Sequence, residues 1–316
     1  MNTLLLGIGA WDPEPWRERF RNVLPGWQVV LPGEIFDRRA VRYAAAWKQP
    51  EGTFADLPLL EAIFSLGAGV DHLFKDRRLP EGVPVVRVVD PDLTTRMSEY
   101  VVMHCLMALR RVRVYDGFQR ERKWIDLRDQ PQASDIRVGL LGMGVLGQDA
   151  AAKLKTMGFQ VAGWSRRPKA VEGVTMHHAA EGLDALVASS DILVAMMPLT
   201  ADTAGILNAT LFAKLPKAEV IGGPVLINVG RGGLQNEADI LAALETRKLG
   251  TAILDVFQTE PLPEDSPLWS HPNVTVTPHN SAISSPPAIA AYVAGQIKAH
   301  LAGEPLVNVV DPRHGY

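Results

Sequence analysis

The chain has 316 residues, 47% of them hydrophobic, which is enough apolar content for a large core and for two domains. Its 32 basic and 35 acidic residues leave a formal net charge of -3, which argues against a nucleic-acid binder, whose surface should carry a basic surplus. The single cysteine, Cys105, excludes an intrachain disulfide framework and fits a reducing compartment; within the apolar stretch Val101–Leu109 it reads as core filler.

The N-terminal run Met1-Asn2-Thr3-Leu4-Leu5-Leu6-Gly7 lacks a basic start and soon meets Asp12, Glu14 and Arg17, so no signal peptide is expected. No apolar stretch is long enough to span a bilayer, so the expected location is the cytoplasm, with no membrane partner. Strands are predicted at Thr3–Leu6, Gln28–Leu31, Arg42–Trp47, Ala62–Leu66 and Val83–Val88, with a helix over Pro15–Val23. One long helix is predicted from Ser98 to Gln119, apolar in its first half, followed by a polar loop over Glu121–Ser134. A second series of strands follows at Arg137–Leu141, Gln160–Trp164, Ile192–Met196, Val225–Val229, Gly250–Asp255 and Val274–Thr277. A final helix, Ala288–Ala302, starts after Pro286-Pro287 and stops at Gly303.

Short apolar runs alternating with helix-length segments describe an α/β protein with two doubly wound parallel sheets. The chain is expected to leave a first domain (1–99 and 286–316) and return to it, so that the second domain (100–285) is an insertion and a ligand cleft lies between them.

Gly142-Met143-Gly144-Val145-Leu146-Gly147 stands between the strand Arg137–Leu141 and a helix-like segment, Gln148–Met157. In that context the first glycine permits a tight turn and the second lets the backbone approach a pyrophosphate. The third packs helix on strand, and the helix N-terminus faces the phosphates. The bland alternative is a structural turn. The next strand ends at Trp164-Ser165-Arg166-Arg167, where an NAD enzyme usually places an acid for the ribose 2′-hydroxyl. A hydroxyl and two guanidiniums suit a 2′-phosphate instead, which points to NADPH over NADH; a solvated basic loop is the alternative.

Four further places carry chemistry. The turn Gly67-Ala68-Gly69-Val70-Asp71 ends a strand and reads as an anion-binding concavity or an ordinary strand-to-helix turn. In Asn228-Val229-Gly230-Arg231-Gly232 a strand delivers an arginine between glycines, placed to hold a carboxylate and polarise a neighbouring carbonyl; alone, a surface arginine fits equally. Glu260 and His279 each lie just past the end of a parallel strand, the side on which open α/β sheets bind ligands. Reduction of a ketone needs a proton on oxygen, which imidazolium supplies near neutral pH, and a carboxylate on the ring favours the charged form. The other seven histidines, His177-His178 and His271 among them, have no close-spaced ligand set, so no metal site is expected.

Together these segments resemble the D-isomer-specific 2-hydroxyacid dehydrogenase family. The match rests on Gly67–Asp71, Gly142–Gly147, Asn228–Gly232, Leu254-Asp255-Val256-Phe257 with Glu260-Pro261, and Thr277-Pro278-His279, in family order over nearly the whole chain. Within the family, Leu66–Asp71, Pro267-Leu268-Trp269 and Arg313-His314-Gly315-Tyr316 are most similar to the bacterial glyoxylate/hydroxypyruvate reductase A group.

The resemblance implies a flavodoxin-like substrate domain, an inserted Rossmann cofactor domain and a homodimer. The reaction would be NADPH-dependent reduction of a small 2-oxo acid to the 2-hydroxy acid, with NADH a second possible donor. By family pattern Arg231 binds the substrate, His279 donates the proton and Glu260 supports it, while the Ala68 and Gly69 amides hold the carboxylate. On the cofactor side stand Gly142, Gly144, Val145, Leu146, Gly147, Ser165, Arg166, Arg167, Pro198-Leu199-Thr200, Val229, Gly230 and Asp255. Trp47 resembles a substrate-pocket tryptophan, or else caps a strand, and Trp124 would reach towards a neighbouring subunit. Asn280-Ser281-Ala282 departs from the apolar or small residues usual after the histidine, which bears on substrate preference. Met97-Ser98-Glu99 matches only approximately. Three other readings remain: a reductase of bulkier 2-oxo acids, a nucleotide-sensing binding protein, and a formate dehydrogenase. The second has no reason to keep the arginine, glutamate and histidine; the third would carry glutamine in place of Glu260.

Overall fold

The computed structural model describes residues 2–9 and 11–311, so the C-terminal Arg313–Tyr316 lies outside the described residues. The chain forms two compact units, Met1–Leu93 with Ser284–Tyr316, and Thr94–Ile283.

The first unit is built on a parallel sheet of β1 (Thr3–Ile8), β2 (Gln28–Val30), β3 (Val41–Trp47), β4 (Ala62–Ser65) and β5 (Val85–Val86), in the order β2-β1-β3-β4-β5. This is the flavodoxin-like order. Its strands are apolar on both faces because both are covered. Leu4, Leu6, Tyr43 and Phe64 point to one cluster with Ile289, Val293 and Ile297 of the helix Pro286–Leu301. Leu5, Ala44, Ile63 and Val85 point to the opposite cluster.

The second unit carries seven parallel strands. These are β6 (Arg137–Leu141), β7 (Gln160–Ser165), β8 (Thr175–His178), β9 (Ile192–Ala195), β10 (Val225–Asn228), β11 (Thr251–Leu254) and β12 (Val274–Val276). Their order, β12-β11-β10-β9-β6-β7-β8, is that of a Rossmann sheet with one strand added. Every predicted strand is present; β8 was not predicted. Its sequence, Thr-Met-His-His, has no apolar run, and as an edge strand with one neighbour it needs none.

The predicted single helix Ser98–Gln119 is two helices, Pro91–Leu109 and Val112–Arg120. The chain breaks at Arg111, which adopts a left-handed φ of 53°. Beyond the break, Arg113 donates to the Pro272 carbonyl and to Thr275 Oγ1. Cys105 is fully buried in an apolar cluster, and burial pushes its thiol pKa up, so it is inert core. The 121–132 stretch has no regular structure, and its Trp124 is fully exposed. Among the described residues no helix is long and apolar enough to cross a membrane.

Candidate active site

In a parallel sheet all strands end on one edge, and in the second unit that edge collects the chemistry. Across it, in spatial order, stand His279 beyond β12, Asp255 and Glu260 beyond β11, Arg231 beyond β10, Pro198 beyond β9, the glycine turn beyond β6 and Ser165–Arg167 at β7. With strands about 4.8 Å apart, the row from β7 to β11 spans roughly 19 Å. Segments up to 137 positions apart in the chain are thus aligned by strand pairing alone.

At one end of the row, His279 Nδ1 lies 2.8 Å from Glu260 Oε2, with the side chains 39% and 27% exposed. A carboxylate only accepts, so Nδ1 carries a proton and donates it to Glu260, and the ring's other nitrogen is left for a second partner. The second carboxylate oxygen of Glu260, Oε1, accepts from the Phe257 amide at 3.1 Å, which fixes the acid before it meets the histidine. His279 itself has a φ of 53°, a left-handed backbone that a residue with a Cβ adopts only when its surroundings hold it there.

Arg231 sits between two glycines because the neighbouring backbones leave no room for side chains. A β-carbon at Gly230 would stand 2.8 Å from the Met197 carbonyl oxygen, and one at Gly232 1.8 Å from that of Phe257. The approach of Gly232 to Phe257 brings the arginine segment against the one that carries Glu260. Behind it, fully buried Asn228 accepts from the Gly230 amide at 3.1 Å and donates to the Arg231 carbonyl and to Gln235. Arg231 Nη1 donates to the Gly230 carbonyl at 2.7 Å, and the residue is half-buried.

At the middle of the row, Gly142 has a φ of 108°, and a β-carbon there would meet the Met197 amide nitrogen at 2.8 Å. One at Gly147 would lie 2.0 Å from the Gly142 carbonyl, so helix and turn close only on glycine. Gly144, by contrast, faces open space and caps the helix Val145–Thr156 with no side-chain cap. Gln148 donates to the Met143 and Gly144 carbonyls, and the first amides of the helix, which have no intrahelical partner, carry the positive end of its dipole. This cradle fits a dinucleotide pyrophosphate. Leu199 packs on Gly233, Thr203 braces the Pro198–Thr200 turn with a 2.8 Å bond to the Pro198 carbonyl, and Val229 is buried.

At the other end, Ser165 Oγ donates to the Arg167 carbonyl at 2.8 Å, closing the turn that presents both arginines. Arg166 pairs with exposed Asp202 at 3.3 Å. Sequence reading missed Lys169, whose Nζ donates to the Met143 carbonyl at 2.7 Å and adds a third cation beside the glycine turn. Its place four residues after Ser165 was a usable signal. It also missed Tyr100, whose hydroxyl lies 2.8 Å from Thr277 Oγ1. No local pattern marks that residue.

Trp47, Ala68 and Gly69 belong to the first unit, at the ends of β3 and β4. The Trp47 ring lies so close over the turn that a β-carbon on Gly67 would meet it at 2.4 Å. Trp47 also stacks on Trp11, with centroids 4.9 Å apart, and lies 4.8 Å from the His72 ring. Ser65 ties the turn, accepting from the Gly67 amide and donating to the Gly69 carbonyl. Ala68 and Gly69 remain part-exposed.

Residues 102–281 match the model of a family described as D-isomer specific 2-hydroxyacid dehydrogenase, NAD binding domain. A glyoxylate/hydroxypyruvate reductase A of Serratia proteamaculans is 40% identical over 96% of this chain and 97% of its own. Among solved structures, an NADPH-dependent glyoxylate/hydroxypyruvate reductase of Sinorhizobium meliloti, crystallised with NADP and sulfate, is 45% identical. It superposes with a TM-score of 0.91 over 100% of both chains. A D-isomer specific 2-hydroxyacid dehydrogenase of Xanthobacter autotrophicus, in complex with NADPH and MES, is 41% identical with a TM-score of 0.92, covering 100% of this chain and 99% of that one.

Proposed function

The chain belongs to the D-isomer specific 2-hydroxyacid dehydrogenase family, and we propose that it reduces glyoxylate and hydroxypyruvate to their 2-hydroxy acids at the expense of NADPH. The observation that carries this reading is the 2.8 Å contact between His279 and Glu260 at one end of a row whose middle is a glycine cradle for phosphates. When bound, the dinucleotide supplies the hydride that the carbonyl carbon receives.

The protein's own residues do the rest. Arg231 grips the substrate carboxylate with its fork and polarises the adjacent carbonyl, drawing electron density to the oxygen. His279, held through Nδ1 by Glu260, gives the proton on its other ring nitrogen to that oxygen. The product is the 2-hydroxy acid, and the histidine regains its proton from solvent. From the first unit we assign the Ala68 and Gly69 amides to the carboxylate and Trp47 to the substrate side chain.

For the nucleotide, Gly142, Gly144, Val145, Leu146 and Gly147 would hold the pyrophosphate, and Ser165, Arg166 and Arg167 the 2′-phosphate, with Lys169 beside them. Pro198, Leu199, Thr200, Val229, Gly230 and Asp255 would border the nicotinamide end. We expect the working form to be a homodimer, which light scattering tests.

The experiment that tests the function is NADPH consumption with glyoxylate, hydroxypyruvate, pyruvate and phenylpyruvate, with a parallel NADH series. Preference for phenylpyruvate would replace the small-acid reading with that of a bulky-acid reductase, and no turnover with any of the four would end it.

A further inference from the structure

Beneath the turn that presents His279 lies a chain of hydrogen bonds that reaches a different helix. Tyr100, on the helix Pro91–Leu109, has its hydroxyl 2.8 Å from Thr277 Oγ1, which lies 2.6 Å from Asp255 Oδ1. The direction of the chain is dictated by its end. Asp255 Oδ1 only accepts, so the threonine proton points to the carboxylate, and the tyrosine must be the donor to Thr277.

Asp255 is 1% exposed, and its carboxylate also accepts from the Asn280 amide at 2.9 Å and the Ser281 amide at 3.1 Å, while its main-chain carbonyl accepts from the His279 amide at 2.8 Å. Every residue from 277 to 281 with a donor in this set is therefore tied to one buried aspartate, around a histidine in a left-handed backbone conformation. A buried carboxylate is stable only while its donors stay in place. Thr277 supplies the remaining one, and the Tyr100 hydroxyl in turn holds Thr277.

We infer that Tyr100 is a positioning residue for His279, holding Thr277 on Asp255 so that Asp255 can lock the turn that aims the imidazole. Its hydroxyl bonds Thr277, which bonds Asp255, so it acts through two intermediaries. Burial pushes its phenol pKa up to about 12, so it remains a donor at every pH at which the protein would be assayed. Its ring packs on His104, with centroids 4.3 Å apart, so removal of the hydroxyl alone leaves the packing in place.

The inference rests on the proposed role of His279, and the test separates the two. In Tyr100→Phe, kcat should fall about tenfold while KM for the 2-oxo acid stays within about twofold, and Tm should barely move. In the cofactor-free protein, amide exchange at Asn280 and Ser281 should speed up about tenfold, with the core strands unchanged. Thr277→Val should show the same pattern more strongly, and Thr277→Ser should restore it. Unchanged exchange at 280 and 281, or a rise spread evenly over the whole unit, would overturn the role of Tyr100. Full turnover in His279→Gln would overturn the role of His279 instead, whatever Tyr100→Phe does to exchange.

Discussion

Gly232 meets Phe257 backbone to backbone: a β-carbon at position 232 would lie 1.8 Å from the Phe257 carbonyl oxygen. This contact presses the Arg231 segment against the strand end that leads to Glu260. Gly232→Ala should therefore push the two apart and cost about 2 kcal/mol or more, with loss of activity larger than loss of fold. Chemical denaturation beside a steady-state assay measures both, and a variant with normal stability and rate would refute the tight approach.

His279→Gln keeps a hydrogen-bonding side chain but supplies no comparable acid, so turnover should drop roughly a hundredfold or more. Glu260→Gln retains the shape but loses the carboxylate that holds Nδ1–H, and should cost about tenfold or more. Near-normal kcat in the histidine variant would remove it from the mechanism.

Arg231→Lys preserves charge and discards the fork. If the guanidinium binds a carboxylate through two bonds, kcat/KM should fall about a hundredfold, and lysine should rescue little over alanine. A lysine variant close to the parent would reduce Arg231 to a generic surface cation.

Arg166 and Arg167 stand at the end of β7 where an acid would repel a 2′-phosphate. Alanine at both should raise KM for NADPH roughly tenfold or more while KM for NADH changes within about twofold. Equal catalytic efficiency of the parent protein with the two nucleotides would contradict this assignment.

His104 is buried, and burial lowers its pKa to about 4, with Arg113 pushing the same way and Asp255 opposing. In the unfolded chain the ring takes a proton near 6.5, so between about 6.5 and 4 the unfolded state binds more protons than the folded one. Stability is present in full above pH 6.5 and is lost as pH falls through that window, by up to roughly 3 kcal/mol from this residue. Denaturation of His104→Leu across pH 4 to 7 should show a flatter profile than the parent, and an identical slope would dismiss the residue as a contributor.

Much of the fold was legible because its signals are local. Apolar runs such as Val225–Ile227 and Ile192–Ala195 are inner strands of a sheet covered on both faces, where a short run of buried apolar residues is what a parallel strand requires. Gly142 and Gly147 were legible because a positive φ and a close approach each demand the absence of a side chain, while Gly144 leaves open space at the helix N-terminus. The residue types of Arg231, Glu260 and His279, at strand ends, pointed to the chemistry for the same reason: parallel strands deliver their C-termini to one edge.

Other features were decided only when distant segments met. β8 pairs with β7 through backbone bonds that its polar sequence does not advertise. Just past the break at Arg111, Arg113 bonds Pro272 and Thr275, about 160 residues on, a contact that the local sequence does not announce. Tyr100 and Thr277 are 177 positions apart and read in isolation as a helix-face aromatic and a strand-end hydroxyl. Periodicity and glycine placement follow from the chain's local geometry, which the sequence carries residue by residue. Which hydroxyl meets which carboxylate follows from the pairing of whole strands and helices, and that exists only in three dimensions.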